Sequence, residues 1–167
     1  NNEIAILYRT NSQSRIFEEF LRRYNIGYKV FGGLSFYQRK EVKDLLGYLR
    51  LTTNKRDEEA LKRILNYPRR GIGKTTIDKI SALAAESGKT MWECLQLVPA
   101  STKAKTSINN FVKAINSFTR KAESSTAYEV AIYVAKNSGL IAEMQKDNSL
   151  EGLGRIENVN ALLDGVK

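Results

Sequence analysis

Three cations, two glycines and two threonines share the eight residues Arg69, Arg70, Gly71, Ile72, Gly73, Lys74, Thr75 and Thr76. Glycine adopts positive φ and lets a ligand approach bare backbone, so Gly71 and Gly73 are expected to pin a tight hairpin. Apolar periodicity starts again at Ile77, which makes residues 74–76 the opening turn of a helix. Free N–H groups and the helix dipole at such a start favour an anion. Arg69, Arg70 and Lys74 add positive charge, and Thr75 and Thr76 add hydroxyl donors. Together these residue types are suited to holding a phosphate.

Two other readings compete. Gly73-Lys74-Thr75 has the ending of a nucleotide-binding P-loop, which needs glycine, four residues, then Gly-Lys-Ser/Thr after a strand. Pro68 stands where the first glycine is required, and the preceding residues have helical periodicity, so ATP binding here is disfavoured. A tight helix–helix turn with solvated basic residues fits the bare Gly-x-Gly spacing. From the residues alone that reading stays open beside the phosphate one, whose ligand would be a nucleic-acid backbone held without base readout.

Two amphipathic helices must position the hairpin. Leu61, Ile64 and Leu65 mark one face of the first, Pro68 breaks it, and Ile77, Ile80, Leu83 and Ala84 mark one face of the second. Apolar Ile72 is expected to plug the space between them. The 167 residues are 42% hydrophobic, enough for one ordinary domain or a domain with part of another. A net charge of +9 points to an anionic partner. Much of the excess sits around the hairpin: Arg50, Lys55, Arg56, Lys62, Arg63, Arg69, Arg70 and Lys74 stand against Asp57, Glu58 and Glu59. The single cysteine, Cys94, excludes an internal disulfide, fits a reducing cytosol and lies in a helical apolar run as a packing residue. Without histidine there is neither a His-based zinc site nor a Ser-His-Asp triad. No apolar run reaches membrane-spanning length and no signal peptide is visible.

Taken in order, residues 3–8, Glu-Ile-Ala-Ile-Leu-Tyr, read as a strand buried on both faces. A polar loop with Arg9, Thr10, Asn11 and Ser12 leads into a helix whose Ile16, Phe17, Phe20, Leu21 and Tyr24 share a face. Glu18–Arg22 and Glu19–Arg23 are spaced for ion pairs on the opposite face. Asn25-Ile-Gly27 stops this helix, and residues 28–31 read as a second short strand. One strand–helix–strand unit cannot make a sheet alone, so this portion reads as part of a larger domain.

Gly32-Gly33 then separates it from a helical remainder. Ser35 with Gln38, Thr90 with Glu93 and Thr126 with Glu129 have capping-box spacing, and Asp57 is a further N-cap. Val42, Leu45, Leu46 and Leu49 stripe one helix. Ile108, Phe111, Val112, Ile115 and Phe118 stripe a long one, and Ile156, Val159, Leu162, Leu163 and Val166 the last. Gly88 and Gly139 read as helix stops, and Trp92 as a packing anchor. The expected class is mainly α: a helical bundle over residues 34–167 with a helix–hairpin–helix-type turn, preceded by a small α/β fragment over residues 1–33.

Four motifs in this order bring in a family: Ala5-Ile-Leu-Tyr-Arg-Thr-Asn-Ser-Gln-Ser-Arg15, Phe31-Gly-Gly-Leu-Ser-Phe-Tyr-Gln-Arg-Lys-Glu-Val-Lys-Asp44, Arg70-Gly-Ile-Gly73 and Arg155-Ile-Glu-Asn158. The chain resembles the UvrD/PcrA/Rep-type helicases of superfamily I over essentially its whole length. The resemblance implies a partial RecA-like 2A subdomain up to about Phe31, then a helical 2B subdomain inserted into it. It also implies a parent enzyme that is an ATP-dependent 3′→5′ DNA helicase, using ATP and Mg, cytoplasmic and nucleoid-associated, active in repair and replication restart. The implied partners are duplex and single-stranded DNA at a junction, the remaining helicase subdomains and repair proteins. No Walker A lysine, Walker B acidic pair or arginine-finger motif of the family is present. This chain alone is therefore expected to hold no cofactor and to have no catalytic residue, ATPase or unwinding activity.

By the same resemblance, Arg9, Thr10 and Asn11 match the post-strand loop that faces single-stranded DNA. The loop also fits a simple cap on the following helix. Arg70, Gly71, Ile72, Gly73, Lys74 and Thr76 match the 2B motif that grips the duplex ahead of the fork. Residues 38–44 match the 2A–2B junction, where Gly32-Gly33 would let 2B swivel. Arg39, Lys40 and Lys43 fit either a DNA contact or solvent, with solvent the favoured expectation, and Arg155-Ile-Glu-Asn158 is expected to buttress the bundle. Two other functions fit the residues: an autonomous helix–hairpin–helix module, with residues 3–31 an independent unit, and a protein-docking or autoinhibitory arm marked by an exposed apolar patch.

Overall fold

The computed structural model describes residues 4–9, 13–31 and 34–167. Expectations that fall on Glu3, Thr10, Asn11, Ser12, Gly32 and Gly33 lie outside the described residues. The regular elements are α1 (Ser14–Arg23), a 3₁₀ turn (Phe36–Gln38), α2 (Lys40–Thr53), α3 (Glu58–Ile64), α4 (Lys74–Ser87), α5 (Met91–Cys94), α6 (Thr102–Ala122), α7 (Ala127–Asn137), α8 (Leu140–Met144) and α9 (Leu150–Asp164). The mainly helical class holds, but the strand–helix–strand fragment does not: no strand forms among the described residues. An apolar run becomes a strand only when a neighbour completes its ladder. Residues 4–8 have none here, and Ile4 and Leu7 are 73% and 95% exposed rather than buried on two faces.

The chain divides into two compact units, one of residues 1–43 with 144–167, the other of residues 44–143. The second holds the hairpin. In it α3 and α4 pack on α5, and α6 packs on α7. The α6 stripe is core as read, with Ile108, Phe111, Ile115 and Phe118 buried. On α2 the buried face is rotated from the expected one, taking in Tyr48 and Leu51 with Leu45 while Leu46 and Leu49 stay half-exposed. Gly47 permits that rotation, because a Cβ there would meet Ile64 Cγ2 at 3.0 Å. Two of the three expected capping boxes form, at Thr90/Glu93 and Thr126/Glu129, and the Asp57 carboxylate accepts from Ala60 N at 2.9 Å. Gly88 and Gly139 stand at positive φ just past α4 and α7. Cys94 is buried, and the Trp92 ring lies 6.4 Å from that of Phe111.

In the first unit polar groups do much of the specifying. Helix α1 closes with a Schellman motif: Asn25 is at φ 57°, Ile26 N donates to Leu21 O at 2.8 Å and Asn25 N to Arg22 O at 3.0 Å. The expected Glu18–Arg22 surface pair is absent because Glu18 is buried. Its carboxylate accepts from Ser14 Oγ at 3.0 Å, Phe36 N at 2.9 Å and Ser35 Oγ. That bond occupies the Ser35 hydroxyl, so the expected Ser35–Gln38 box gives way to a 3₁₀ turn with no side-chain cap. Glu19 pairs with Arg15 at 2.9 Å, and Arg22 lies over the Tyr37 ring. Arg39, expected in solvent, is 7% exposed. Its guanidinium donates to Ser14 Oγ and to Asn158 Oδ1, both at 2.8 Å, while Asn158 Nδ2 donates to Glu41 Oε1 at 2.6 Å. The C-terminal motif does buttress, through Asn158.

Glu18 yields a pH prediction. Burial pushes its pKa up, but the bonds from Ser35, Phe36, Ser14 and Tyr28 outweigh that and hold it below the ordinary carboxylate value. An acid with a depressed folded pKa adds stability that is present above its unfolded pKa, about 4.3, and lost as pH falls through the folded pKa. Glu18→Gln is therefore expected to be least stable relative to the parent chain at neutral pH, with the gap narrowing below about pH 4.3. Urea midpoints measured across that range check it; a gap that stays constant with pH contradicts the assignment.

Candidate nucleic-acid interface

The hairpin is built by one asparagine. After α3 the Asn66 side chain turns back so that Oδ1 accepts from Arg70 N at 2.9 Å and Ile72 N at 3.1 Å. This is the local backbone mimicry that suits asparagine to turns. Gly71 has φ +76°, a conformation L side chains rarely adopt, whereas Gly73 is extended at φ −73° and ψ 166°. Only one of the two glycines thus uses the left-handed region. Gly73 instead serves as the N-cap of α4, its carbonyl accepting from Thr76 N at 3.0 Å and Ile77 N at 3.2 Å. Ile72 is fully buried, and Ile80 and Ala84 on α4 are buried as expected.

The donors that remain face outward. Among the described residues, the amides of Gly71, Gly73, Lys74 and Thr75 make no hydrogen bond within the chain, and α4 has no side-chain cap. All four residues are exposed, as is Arg69, and Thr76 is half-buried. Neither Arg69 nor Lys74 has an acidic partner among the described residues. Alternate amides are thus consumed by Asn66, and the rest stand unbonded at a helix N-terminus, an end that favours negative charge.

Arg70 does something else. Its Nη1 donates to Ile64 O and Pro68 O, both at 3.1 Å, and its Nη2 to Ser138 O at 3.1 Å and to the Tyr48 hydroxyl. The guanidinium lies 5.4 Å from the Phe111 ring centroid and 5.9 Å from that of Tyr48. Tyr48 Oη in turn donates to Tyr67 O at 2.7 Å. Burial raises the Tyr48 pKa despite the opposing Arg70 charge, so the phenol keeps its proton and its donor role. Arg70 therefore ties the end of α3 to the residue after α7. Its side chain is committed inside the protein, and only its backbone belongs to the exposed turn.

Sequence reading also missed residues here. Ser107 Oγ on α6 donates to Arg70 O at 2.7 Å, and Lys103 Cε lies 3.7 Å from where a Cβ on Gly71 would stand. Both come from a helix more than thirty positions away, for which no local signal exists. Asn66 was legible in principle, since an asparagine two residues before proline and between apolar runs is turn chemistry. In the other unit Arg9 is exposed, with its N–H bonded to Gln13 Oε1 at 3.0 Å. It lines an open cleft with Lys40, Leu150 and Arg155. Thr10 and Asn11 lie outside the described residues.

The comparisons agree on one family. Residues 1–166 match the model of the UvrD-like helicase C-terminal domain. The chain is 36% identical over 170 residues to DNA helicase II of Haemophilus influenzae, covering 99% of this chain and 23% of that protein. It is 36% identical over 169 residues to the ATP-dependent DNA helicase PcrA of Bacillus subtilis, and 36% identical over 164 residues to PcrA of Staphylococcus aureus. These cover 99% and 96% of the chain and 23% and 22% of the relatives. The chain thus spans less than a quarter of the length of these relatives. It belongs to the UvrD-like helicase C-terminal domain family.

Proposed function

We propose that this chain is the DNA-binding portion of an ATP-dependent 3′→5′ DNA helicase of the UvrD/PcrA/Rep type. In this reading the bundle is 2B-like and grips duplex DNA by its backbone near the fork, while Arg9, Thr10 and Asn11 of a 2A-like part meet the single strand. The observation that carries it is the turn at residues 70–75, where four unbonded amides stand beside Arg69 and Lys74, which have no acidic partner among the described residues. Phosphate oxygens accept from Gly71, Gly73, Lys74 and Thr75 N–H groups, with Thr76 Oγ1 as a further donor. No base edge is read. The Arg70 guanidinium takes no part in this grip.

ATP and Mg belong, in this reading, to the rest of the parent. Gly73-Lys74-Thr75 opens a helix after a turn that follows a helix, not after a strand, and Pro68 holds the place of the P-loop glycine. Among the described residues no three acidic side chains cluster as metal ligands, and no helix is long and apolar enough to cross a membrane. Residues 13–31 are not an independent unit, because Ser14 and Glu18 on α1 are bonded to Arg39, Ser35 and Phe36; the hairpin lies in the other compact unit, so the autonomous-module reading stays open. On residues 34–167 the exposed large apolar side chains among the described residues are Leu34, Leu97, Leu150 and Leu153, and three of them, Leu34, Leu150 and Leu153, line one open cleft, so the docking-arm reading keeps a candidate patch there.

Binding of the chain to duplex, forked and single-stranded DNA across a salt series tests the proposal. Duplex affinity is expected to fall steeply with salt, as release of phosphate counterions requires. Lys74→Glu removes one phosphate contact and adds a repulsion. It is expected to weaken duplex binding about tenfold or more at low salt, equally across sequences, and to flatten the salt slope by about one unit or more. Unchanged affinity for that variant contradicts the hairpin grip.

A further inference from the structure

Helix α6 brings a residue to the turn that no reading of the hairpin motif includes. The Ser107 Oγ–Arg70 O bond at 2.7 Å fixes the register of α6 against the turn. One helical turn toward the N-terminus, on the same face, stands Lys103. Its Cε lies over the open side of Gly71, 3.7 Å from the position of an absent Cβ. Lys103 is exposed and has no acidic partner among the described residues. A lysine stem therefore rests on the one hairpin glycine that holds positive φ, and its charge sits beside the unbonded amides of the turn. Placed near the positive end of α4 with no counter-charge, the arrangement is self-repelling unless an anion joins it.

We infer that Lys103 is a phosphate-binding residue of the duplex grip, closing the Gly71 side of the turn opposite Lys74. The inference rests on the proposed duplex reading and adds a second element, α6, to the contact surface. Glycine at position 71 permits the positive-φ backbone, and the Lys103 stem lies within ordinary contact distance of that position. Lys103 contacts only the charged backbone, so its contribution is independent of base sequence.

The test uses the chain with Lys103→Ala, Lys103→Arg and, as a control, Lys105→Ala. Lys105 has the same charge on the same helix but sits two positions on, away from the Ser107 face. Binding to one mixed-sequence duplex is titrated between 50 and 200 mM salt. Loss of one phosphate contact lowers the slope of log K against log salt by about 0.9. The affinity ratio of parent to Lys103→Ala is therefore expected to shrink about 3.5-fold across that range, with Lys103→Arg keeping the parent slope and Lys105→Ala changing it little. Equal effects of Lys103→Ala and Lys105→Ala, or a Lys103→Ala slope identical to the parent's, overturn the inference. If Lys74→Glu also leaves duplex binding unchanged, the hairpin reading itself falls. If Lys74→Glu weakens binding while Lys103→Ala does not, only the role of Lys103 is lost.

Discussion

Arg70→Ala is expected to lower the free energy of unfolding by about 3 kcal/mol, read as a shift in urea midpoint. Each buried acceptor left without a donor costs about 1–3 kcal/mol. The substitution strips the Arg70 donors from Pro68 O and Ser138 O, leaves Ile64 O with Tyr67 N as its donor, and leaves the Tyr48 hydroxyl one partner short. The side chain is half-buried, so water reaches part of the vacated space and the sum of separate costs is not attained. Arg70→Lys is expected to recover little, because an ammonium cannot reproduce the planar fork that serves carbonyls on two segments while stacking near two rings. A surface arginine that held a phosphate would behave oppositely, with near-normal stability and weaker DNA binding. Stability unchanged in Arg70→Ala would return the guanidinium to the DNA and contradict its internal role.

That contrast shows what a sequence discloses about such a site. Local chemistry was legible: the Thr90/Glu93 and Thr126/Glu129 boxes, the Asp57 cap and the α6 stripe follow from spacings of three or four residues. The hairpin was legible as a glycine-bearing turn before a helix. Which of its cations faces outward was not, because Arg69, Arg70 and Lys74 differ only in what the fold places beside them. Arg70 meets Ser138, 68 positions away, and Lys103 reaches the turn from α6. Glu18 misled for a related reason. Its spacing to Arg22 satisfies a surface pairing rule, yet Ser35 and Phe36 return to take its oxygens. Residues 4–8 misled because apolarity records a preference for burial but not the partner a ladder requires.

Asn158→Leu is expected to cost about 3–5 kcal/mol of stability, because it strips two hydrogen bonds to charged groups, each worth about 1.5–3 kcal/mol. The Asn158 amide stands between a buried cation and a buried anion, Oδ1 toward the Arg39 guanidinium and Nδ2 toward Glu41 Oε1. Arg39 and Glu41 are each 7% exposed. Burial pulls the Arg39 pKa down, with the charges of Glu18 and Glu41 opposing, so the site already bears the cost of a desolvated guanidinium. Leucine matches the volume of asparagine well enough to avoid a cavity, which makes the lost bonds the dominant cost. Asn158→Asp tests the orientation of the amide. It offers Arg39 a carboxylate but brings that group against Glu41, and two carboxylates sharing a site raise the pKa of one of them. An acid whose folded pKa is raised destabilises the fold above that pKa and ceases to do so as pH falls through it. The aspartate variant is therefore expected to be clearly less stable than the parent near pH 7 and to regain ground on acidification, while the leucine variant shows no such recovery. Denaturation midpoints for both variants between pH 4 and pH 7 decide it. Parallel behaviour of the two would mean that the Asn158 amide donates nothing to Glu41 and serves Arg39 alone.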